Sequence, residues 1–323
     1  MKSIIPKYTF LLPAYKGHFL DEMLRSILSQ TYTDFKVIIS DDCSPEDLYG
    51  ICKPYLDDSR FSYRRNEKNI GGEDLVAHWN LLVKMCETDY LIMASDDDVY
   101  DPTFLEEIDK LILKYPNVDL FHARARIINS EGDLVMNDAL YEEFVTQLQY
   151  LAFHGYTYHV ECVANYVYKT SKLKSKGGFV NFPLAWGSDS ATNNLMAENG
   201  VVTTRDILFS FRYSGLNIST LGRESKMLTE KKFEASFQYA LFLENLWKKM
   251  QIDGSEFQKN ILLQAQACQD RICIFSLTCF HVALPFYKMV SFIRPLMRIG
   301  VLKGKYEVYV YIKKWFYYKT HFN

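Results

Sequence analysis

Apolar residues along the first two thirds of the chain switch repeatedly between two spacings. Tyr8 to Pro13 is a short β-rich apolar run, and Leu20, Met23, Leu24, Ile27 and Leu28 then recur at helical spacing, so strand followed by helix is the opening unit. Phe35 to Ile39 reads as the next strand and ends in Ser40-Asp41-Asp42, after which a turn at Ser44-Pro45 starts a helix-like stretch. Phe61 to Arg65 gives a third strand and Asn69 to Gly72 a loop. Leu75, Trp79, Leu82 and Cys86 mark one face of a helix leading into a strand at Tyr90 to Ala94. Phe104 to Leu113 carries the helical spacing again and stops at Tyr115-Pro116-Asn117. Strands alternating with helices predict an α/β fold with a mainly parallel central sheet covered by helices.

Further along, strand-like segments are expected at Asp119 to Ala123, Val160 to Tyr168 and Ile207 to Phe211, with a helix at Ala191 to Ala197. From Lys226 to about His281 the pattern reads as one long helical stretch. The expected organisation is an α/β domain over residues 1–222 and a helical C-terminal extension over residues 223–323.

In parallel sheets, ligands bind beyond the carboxyl ends of the strands. Pro13-Ala14-Tyr15, Asp41-Asp42 and Asp96-Asp97-Asp98 all fall there. Three adjacent carboxylates repel one another and call for a cation, and oxygen-rich surroundings without thiolates suit Mg²⁺ or Mn²⁺, which in turn suits a diphosphate. A solvated acidic turn is the plainer reading of the same letters.

The composition is 48% hydrophobic and 24% charged, which is enough to bury a core. The seven cysteines form no Cys-x-x-Cys pair and follow no secretory signal, which points to reduced thiols in a cytoplasm. His154, His159 and Cys162 have the wrong spacing for zinc. Net charge is only -2, but residues 286–323 hold eight basic residues against Glu307 alone. This basic tail is interleaved with Phe286, Tyr287, Phe292, Trp315, Phe316, Tyr317 and Tyr318. It reads either as a segment docking on an anionic membrane surface or as a helical cap packing on the main domain. The most apolar window, Ile272 to Tyr287, is too short to span a bilayer. With the remainder of the chain acidic, nucleic acid is not an expected partner. P-loop, dinucleotide-binding and serine-hydrolase signatures are absent.

Taken in order, Pro13-Ala14-Tyr15, Ser-Gln-Thr-Tyr at 29 to 32, Ser40-Asp41-Asp42-Cys43-Ser44, Asn69-Ile70-Gly71-Gly72, Ala94-Ser95-Asp96-Asp97-Asp98-Val99-Tyr100-Asp101-Pro102 and Trp186-Gly187-Ser188-Asp189 resemble the family 2 glycosyltransferases with the GT-A fold. The resemblance covers about residues 6 to 220. It implies that a nucleotide-diphosphate sugar, a UDP-sugar above all, is bound by Pro13, Ala14, Tyr15, Asp41, Asn69, Gly71 and Asp96. It also implies a divalent metal, Mn²⁺ or Mg²⁺, held among Asp96, Asp97 and Asp98. Asp96-x-Asp98 satisfies the family's Asp-x-Asp signature, while the spacing to Asp101-Pro102 permits Asp97 as the principal ligand with Asp96 near the ribose.

The resemblance further makes Asp189 the base that deprotonates a hydroxyl of a glycan or lipid-linked acceptor for an inverting in-line displacement. A simple N-cap is the plainer reading of Asp189. Weaker expectations concern Gly72 at the ribose, Trp186 as a sugar platform or a buried ring, and Arg212 with Asn217 closing over the diphosphate. The rival readings are a sugar-nucleotide pyrophosphorylase, whose glycine-rich basic first loop is poorly matched by Pro13-Ala14-Tyr15-Lys16-Gly17, and a silent glycan- or membrane-binding scaffold.

Overall fold

The structure, a computed structural model, describes residues 5–153, 160–215 and 225–321. The elements run β1 (Tyr8–Ala14), α1 (Leu20–Leu28), β2 (Phe35–Asp41), α2 (Leu48–Cys52), β3 (Phe61–Arg65), α3 (Gly71–Met85), β4 (Tyr90–Met93), β5 (Val99–Tyr100), α4 (Phe104–Lys114) and β6 (Leu120–Ile128). They continue through β7 (Leu134–Asn137), β8 (Phe144–Val145), α5 (Gln147–Phe153), β9 (Tyr166–Lys169), α6 (Thr170–Ser175), α7 (Ser188–Met196) and β10 (Val201–Arg212). The C-terminal helices are α8 (Lys226–Lys249), α9 (Glu256–Phe280), α10 (Phe286–Ser291), α11 (Ile293–Arg298) and α12 (Lys305–His321).

All the strands join one sheet in the order β3-β2-β1-β4-β9-β6-β10-β5, with β7 added on β6 and β8 on β10. β1 to β4 are mutually parallel, β9 runs against β4 and β6, and β10 is parallel to β6. This is the α/β sheet expected from the alternating pattern, in the GT-A arrangement that the family resemblance implies. Three expectations are corrected. The stretch from Val160 is strand only over Tyr166–Lys169, because a 3-10 turn at Val163–Asn165 interrupts it. β10 starts at Val201, earlier than its apolar core at 207–211 suggests. The helical stretch from Lys226 is two helices, since Gly254 takes a positive φ and the Ser255 hydroxyl accepts from Gln258 N to start α9 afresh.

The chain divides into two compact units. The first comprises Met1–Gln147, Tyr158–Asn181 and Thr192–Ser214; the second comprises Leu148–Thr157, Phe182–Ala191 and Gly215–Asn323. The sequence boundary near residue 222 lies outside the described residues.

In the first unit the core is aromatic where it fixes the acidic turn. Tyr100 lies within 5.1 Å, centroid to centroid, of Phe10, Phe104 and Phe209, and its hydroxyl donates to the Ala164 carbonyl at 2.9 Å. Edge-to-face contacts of this kind each contribute about 0.5–1.5 kcal/mol beyond area burial. β5, the segment immediately after Asp98, is therefore anchored rather than loose. On α1 the residues Leu20, Met23, Leu24 and Ile27 are buried at the helical spacing read from the sequence.

The second unit is helical. α8 and α9 pack along each other, Tyr239 Oη donates to Gln269 Oε1 at 3.0 Å, and Gln269 Nε2 donates to the Leu151 carbonyl at 3.1 Å. The tail aromatics divide. Tyr311 and Trp315 are buried, Trp315 donating its indole N–H to the Leu284 carbonyl at 3.1 Å, whereas Tyr287, Tyr306, Phe316 and Tyr317 are exposed. Among the described residues no helix is long and apolar enough to cross a membrane.

His281 gives this unit an acid sensitivity. Its ring is fully buried, Nε2 lies 2.9 Å from the Tyr311 carbonyl, and burial, assisted by the Lys314 charge, pushes the imidazole down to about 4. An unfolded histidine binds its proton near 6.5. The stability from the neutral ring is thus complete above pH 6.5 and is lost as pH falls towards 4. Between pH 7 and pH 5 the expected loss is about 2 kcal/mol. Urea unfolding at the two pH values should show this loss in the wild type and a smaller one in His281→Gln; equal losses would show that His281 does not carry it.

Candidate active site

Strand register brings the sequence-distant segments together. Ala14 lies opposite Asp41, Asp41 opposite Arg65, and Leu11 opposite Met93, so the carboxyl ends of β1 to β4 form one rim. On that rim the backbone of the first turn is already occupied. Tyr15 N and Lys16 N donate to Asp96 Oδ2 at 2.9 and 2.8 Å, Tyr15 O accepts from Ser44 Oγ at 2.6 Å, and Ala14 O accepts from Asp42 N at 2.9 Å. Asp96 thus staples the first turn to the end of β4. What Tyr15 offers outward is its ring, which is exposed.

Asp41 is fully buried. Oδ1 accepts from Ser44 N at 2.8 Å, and Oδ2 from Tyr63 Oη and Arg65 Nη1, each at 2.5 Å. A carboxylate has about four lone-pair sites, so most of those on Asp41 are taken by protein donors. Cys43, with φ 56°, takes the left-handed conformation between Asp42 and Ser44, a strained geometry of the sort that collects at binding sites.

Asp42 holds the next loop. Its oxygens accept from Asn66 Nδ2 at 2.7 Å, Ile70 N at 2.9 Å and Gly71 N at 2.6 Å. A side chain at Gly71 would meet Asp42 Oδ2 at 2.9 Å, so only glycine permits this approach. Asn69 Oδ1 accepts from Gly72 N at 2.6 Å. The loop at 69–72 is therefore built by its own side chains and by Asp42.

The three aspartates at 96–98 have three different jobs. Besides the staple made by Asp96, Asp97 Oδ1 accepts from Ser95 Oγ at 2.5 Å and Asp98 Oδ1 from Arg212 N at 2.9 Å. Burial pushes Asp96 up to about 6 against the opposing pull of its two N–H donors, and burial together with the Asp97 charge pushes Asp98 up. Among the described residues no three His, Cys, Asp or Glu side chains form a metal cage. The donor set nonetheless fits a hard divalent ion of the kind that takes one or two carboxylates and completes its shell with phosphate and water.

Arg212 corrects an expectation. Its side chain is only 1% exposed. Nε donates to the Asp97 carbonyl at 2.9 Å, Nη1 to the Asn129 and Ser130 carbonyls at 3.3 and 3.2 Å, and Nη2 to Glu22 Oε2 at 2.7 Å, with the Phe19 ring 4.3 Å away. It is a brace of the acidic turn and is not placed to close over a diphosphate. Asn217, His154 and His159 lie outside the described residues, and Cys162 packs in a turn with its Sγ 3.7 Å from Asn165 Oδ1.

In the second unit, Asp189 follows a turn of unusual backbone. Leu184 and Ala185 have φ of 58° and 55° and Gly187 has 76°. Non-glycine residues in this region cost on the order of 1–3 kcal/mol each and persist only when their surroundings force them. Here the force comes from Trp186, whose ring meets Lys232 Nζ at 4.6 Å and the Phe280 ring at 5.2 Å, and whose indole N–H donates to Ser276 Oγ at 3.3 Å. Trp186 is thus anchored in protein while remaining partly exposed. Phe182 N donates to Ser188 Oγ and Ser190 N to Asp189 Oδ1. Asp189 stands in the first turn of α7, where its charge suits the helix N-terminus.

Sequence reasoning passed over Arg65, Tyr63 and Asn66, which close the β3 end of the rim. The strand-end rule that marked Asp41 would have marked them too.

Several known proteins are similar to this chain. TarS of Staphylococcus aureus, a poly(ribitol-phosphate) beta-N-acetylglucosaminyltransferase, is 23% identical over 129 residues, 39% of this chain and 22% of its own length. The chondroitin synthase of Escherichia coli is 28% identical over 137 residues, 41% of this chain and 19% of its own. The chain thus spans about a fifth of the length of these relatives. In structure, TarS 1–349 in complex with UDP-GlcNAc superposes with a TM-score of 0.58 at 17% identity, covering 97% of this chain and 90% of that one. A mannosyltransferase from Pyrobaculum calidifontis in complex with GDP-Man and Mn²⁺ gives 0.56 at 13% identity, covering 99% and 88%. These likenesses are of fold. The profile of Glycosyl transferase family 2 matches residues 9–175, just over half of the chain and including the rim at the ends of β1 to β4, and the chain belongs to that family.

Proposed function

We propose that the protein transfers a sugar from a nucleotide-diphosphate donor, a UDP-sugar, to a hydroxyl of a glycan or lipid-linked acceptor with inversion at the anomeric carbon. The observation that carries this reading is the rim itself: Asp96 stapled to the backbone of Tyr15 and Lys16, with Asp41 and Asp97 beside it, at the carboxyl ends of parallel strands where an α/β sheet binds its ligand. The nucleotide complexes of the similar structures support the same class of donor, and TarS favours uridine.

In this reading the Tyr15 ring and the β2 end at Asp41 receive the base, with Pro13 and Ala14 forming the floor and Asn69 and Gly71 bordering the ribose. A divalent ion, when bound, neutralises the diphosphate and the charge of its departure. The carboxylates at 96–98 would hold it, with Asp97 as the principal ligand, as the spacing to Asp101-Pro102 permits. Asp189 takes the acceptor proton as the new bond forms, and the bond from the anomeric carbon to the nucleotide oxygen breaks on the opposite face. The seven free thiols support a reducing compartment, hence action from the cytoplasmic side.

Calorimetric titration of UDP, GDP and dTDP with and without Mn²⁺, in wild type and in Asp97→Ala, tests the donor site. UDP should bind tenfold or more tightly with Mn²⁺ than without, and Asp97→Ala should abolish the difference, on the order of 1.4 kcal/mol or more. Binding of none of the three by the folded protein would favour the silent scaffold.

A further inference from the structure

The outward side of α12 carries rings where a solvated helix carries charge. Advancing about 100° per residue, Lys305, Tyr306, Tyr309, Lys313, Phe316 and Tyr317 share one arc of roughly 120°, opposite the buried Tyr311 and Trp315. Tyr306 is 74% exposed, Tyr309 56%, Phe316 51% and Tyr317 54%. Lys313 Nζ lies 5.7 Å from the Tyr309 ring. The patch extends to α10, where the half-exposed Phe286 ring lies 5.6 Å from Phe316 and Tyr287 is exposed.

Charge on this face has one sign. Glu307, the only acid from residue 286 onward, falls on the flank of α12 near the buried side. Lys288 and Lys303 face Glu230 and Asp270, and so add little to the field. Among the described residues neither Lys305 nor Lys313 has an acidic partner. A second copy meeting this face with its own would set lysine against lysine. The face is also the convex outer side of a helix, which offers a linear polymer no groove. A flat anionic surface meets both conditions, because every ring of the arc reaches it at once and both lysines find phosphate.

We propose that α12 lies along an anionic lipid surface, with its tyrosine and phenylalanine rings at headgroup depth and Lys305 and Lys313 against lipid phosphates. This inference does not depend on the donor, the acceptor or Asp189. It decides between the two readings of the tail residue by residue: Tyr311 and Trp315 make the cap, and the opposite arc makes the membrane contact.

Flotation of the full chain with vesicles of phosphatidylcholine, alone or with about 30% phosphatidylglycerol, tests it. Expected is partition into the anionic vesicles at least about tenfold stronger than into the neutral ones, weakened by salt. The variants Lys305→Glu with Lys313→Glu, and Tyr306→Ser with Tyr309→Ser, should each lower it about tenfold with unchanged thermal unfolding, because these side chains are exposed. Absence of binding to anionic vesicles, or variants that bind like wild type, would overturn the proposal. So would a concentration-dependent dimer lost in the variants, which would assign the face to a second copy. Tight binding to a soluble polyanion with vesicles ignored would assign it to a polymer and equally overturn the proposal.

Discussion

Asp189→Asn is expected to lower kcat for sugar transfer by about 10²- to 10⁴-fold while nucleotide binding stays at its wild-type value. The amide has the shape of the carboxylate and keeps an oxygen for Ser190 N, so the start of α7 survives. What it loses is the capacity to take a proton from the acceptor hydroxyl. The turn leading to it stays in place: the left-handed residues Leu184 and Ala185 are held by Trp186, itself packed by Lys232, Ser276 and Phe280. Initial rates of UDP release with acceptor present, alongside calorimetric UDP affinity, separate the two effects. A variant with full turnover would leave Asp189 as a helix cap only. A variant that lost UDP affinity as much as rate would point to a role in the donor site instead.

The strand-end positions of Asp41, Asp42 and Asp96–Asp98 were legible in the sequence because a period-2 or continuous apolar run that stops at a polar cluster marks where a parallel strand leaves the sheet. α1 and α4 were legible for the same kind of reason, their buried faces being written at 3.6-residue spacing. Partnership was not legible. Nothing local in the letters says that Asp96 bonds the backbone of Tyr15 and Lys16, 81 and 80 residues away, or that Asp42 closely approaches Gly71. The same limit applies to Arg212. Its place after an apolar strand suggested a side chain closing over the diphosphate, and only the fold reveals carbonyls at 97, 129 and 130 around its guanidinium. The strained turn at 183–187 was hidden for a different reason: leucine and alanine are residues that local propensity would not assign to positive φ, and tertiary packing overrides that preference.

Arg212→Met is expected to destabilise the protein by about 3–5 kcal/mol, a large share of the stability of an ordinary domain. Methionine fills part of the volume but supplies no donors, so the carbonyls of Asp97, Asn129 and Ser130 lose their partner in a site that water does not reach freely. Glu22 suffers less, since its carboxylate is half exposed and can be rehydrated. The Phe19 ring loses its cation as well. Arg212 N still bonds Asp98 Oδ1, because that contact is made by backbone. Arg212→Lys should fall between, keeping the charge while reaching fewer of the carbonyls. Urea unfolding measures the stability, and UDP titration in the presence of Mn²⁺ on the fraction that remains folded measures the site. The two readouts distinguish a brace from a clamp. A brace gives a large stability loss in the absence of any nucleotide, with donor affinity falling only because the turn at 96–98 is less well held. A clamp on the diphosphate would give unchanged stability and a selective loss of UDP affinity, and that outcome would return Arg212 to the role its place in the sequence first suggested.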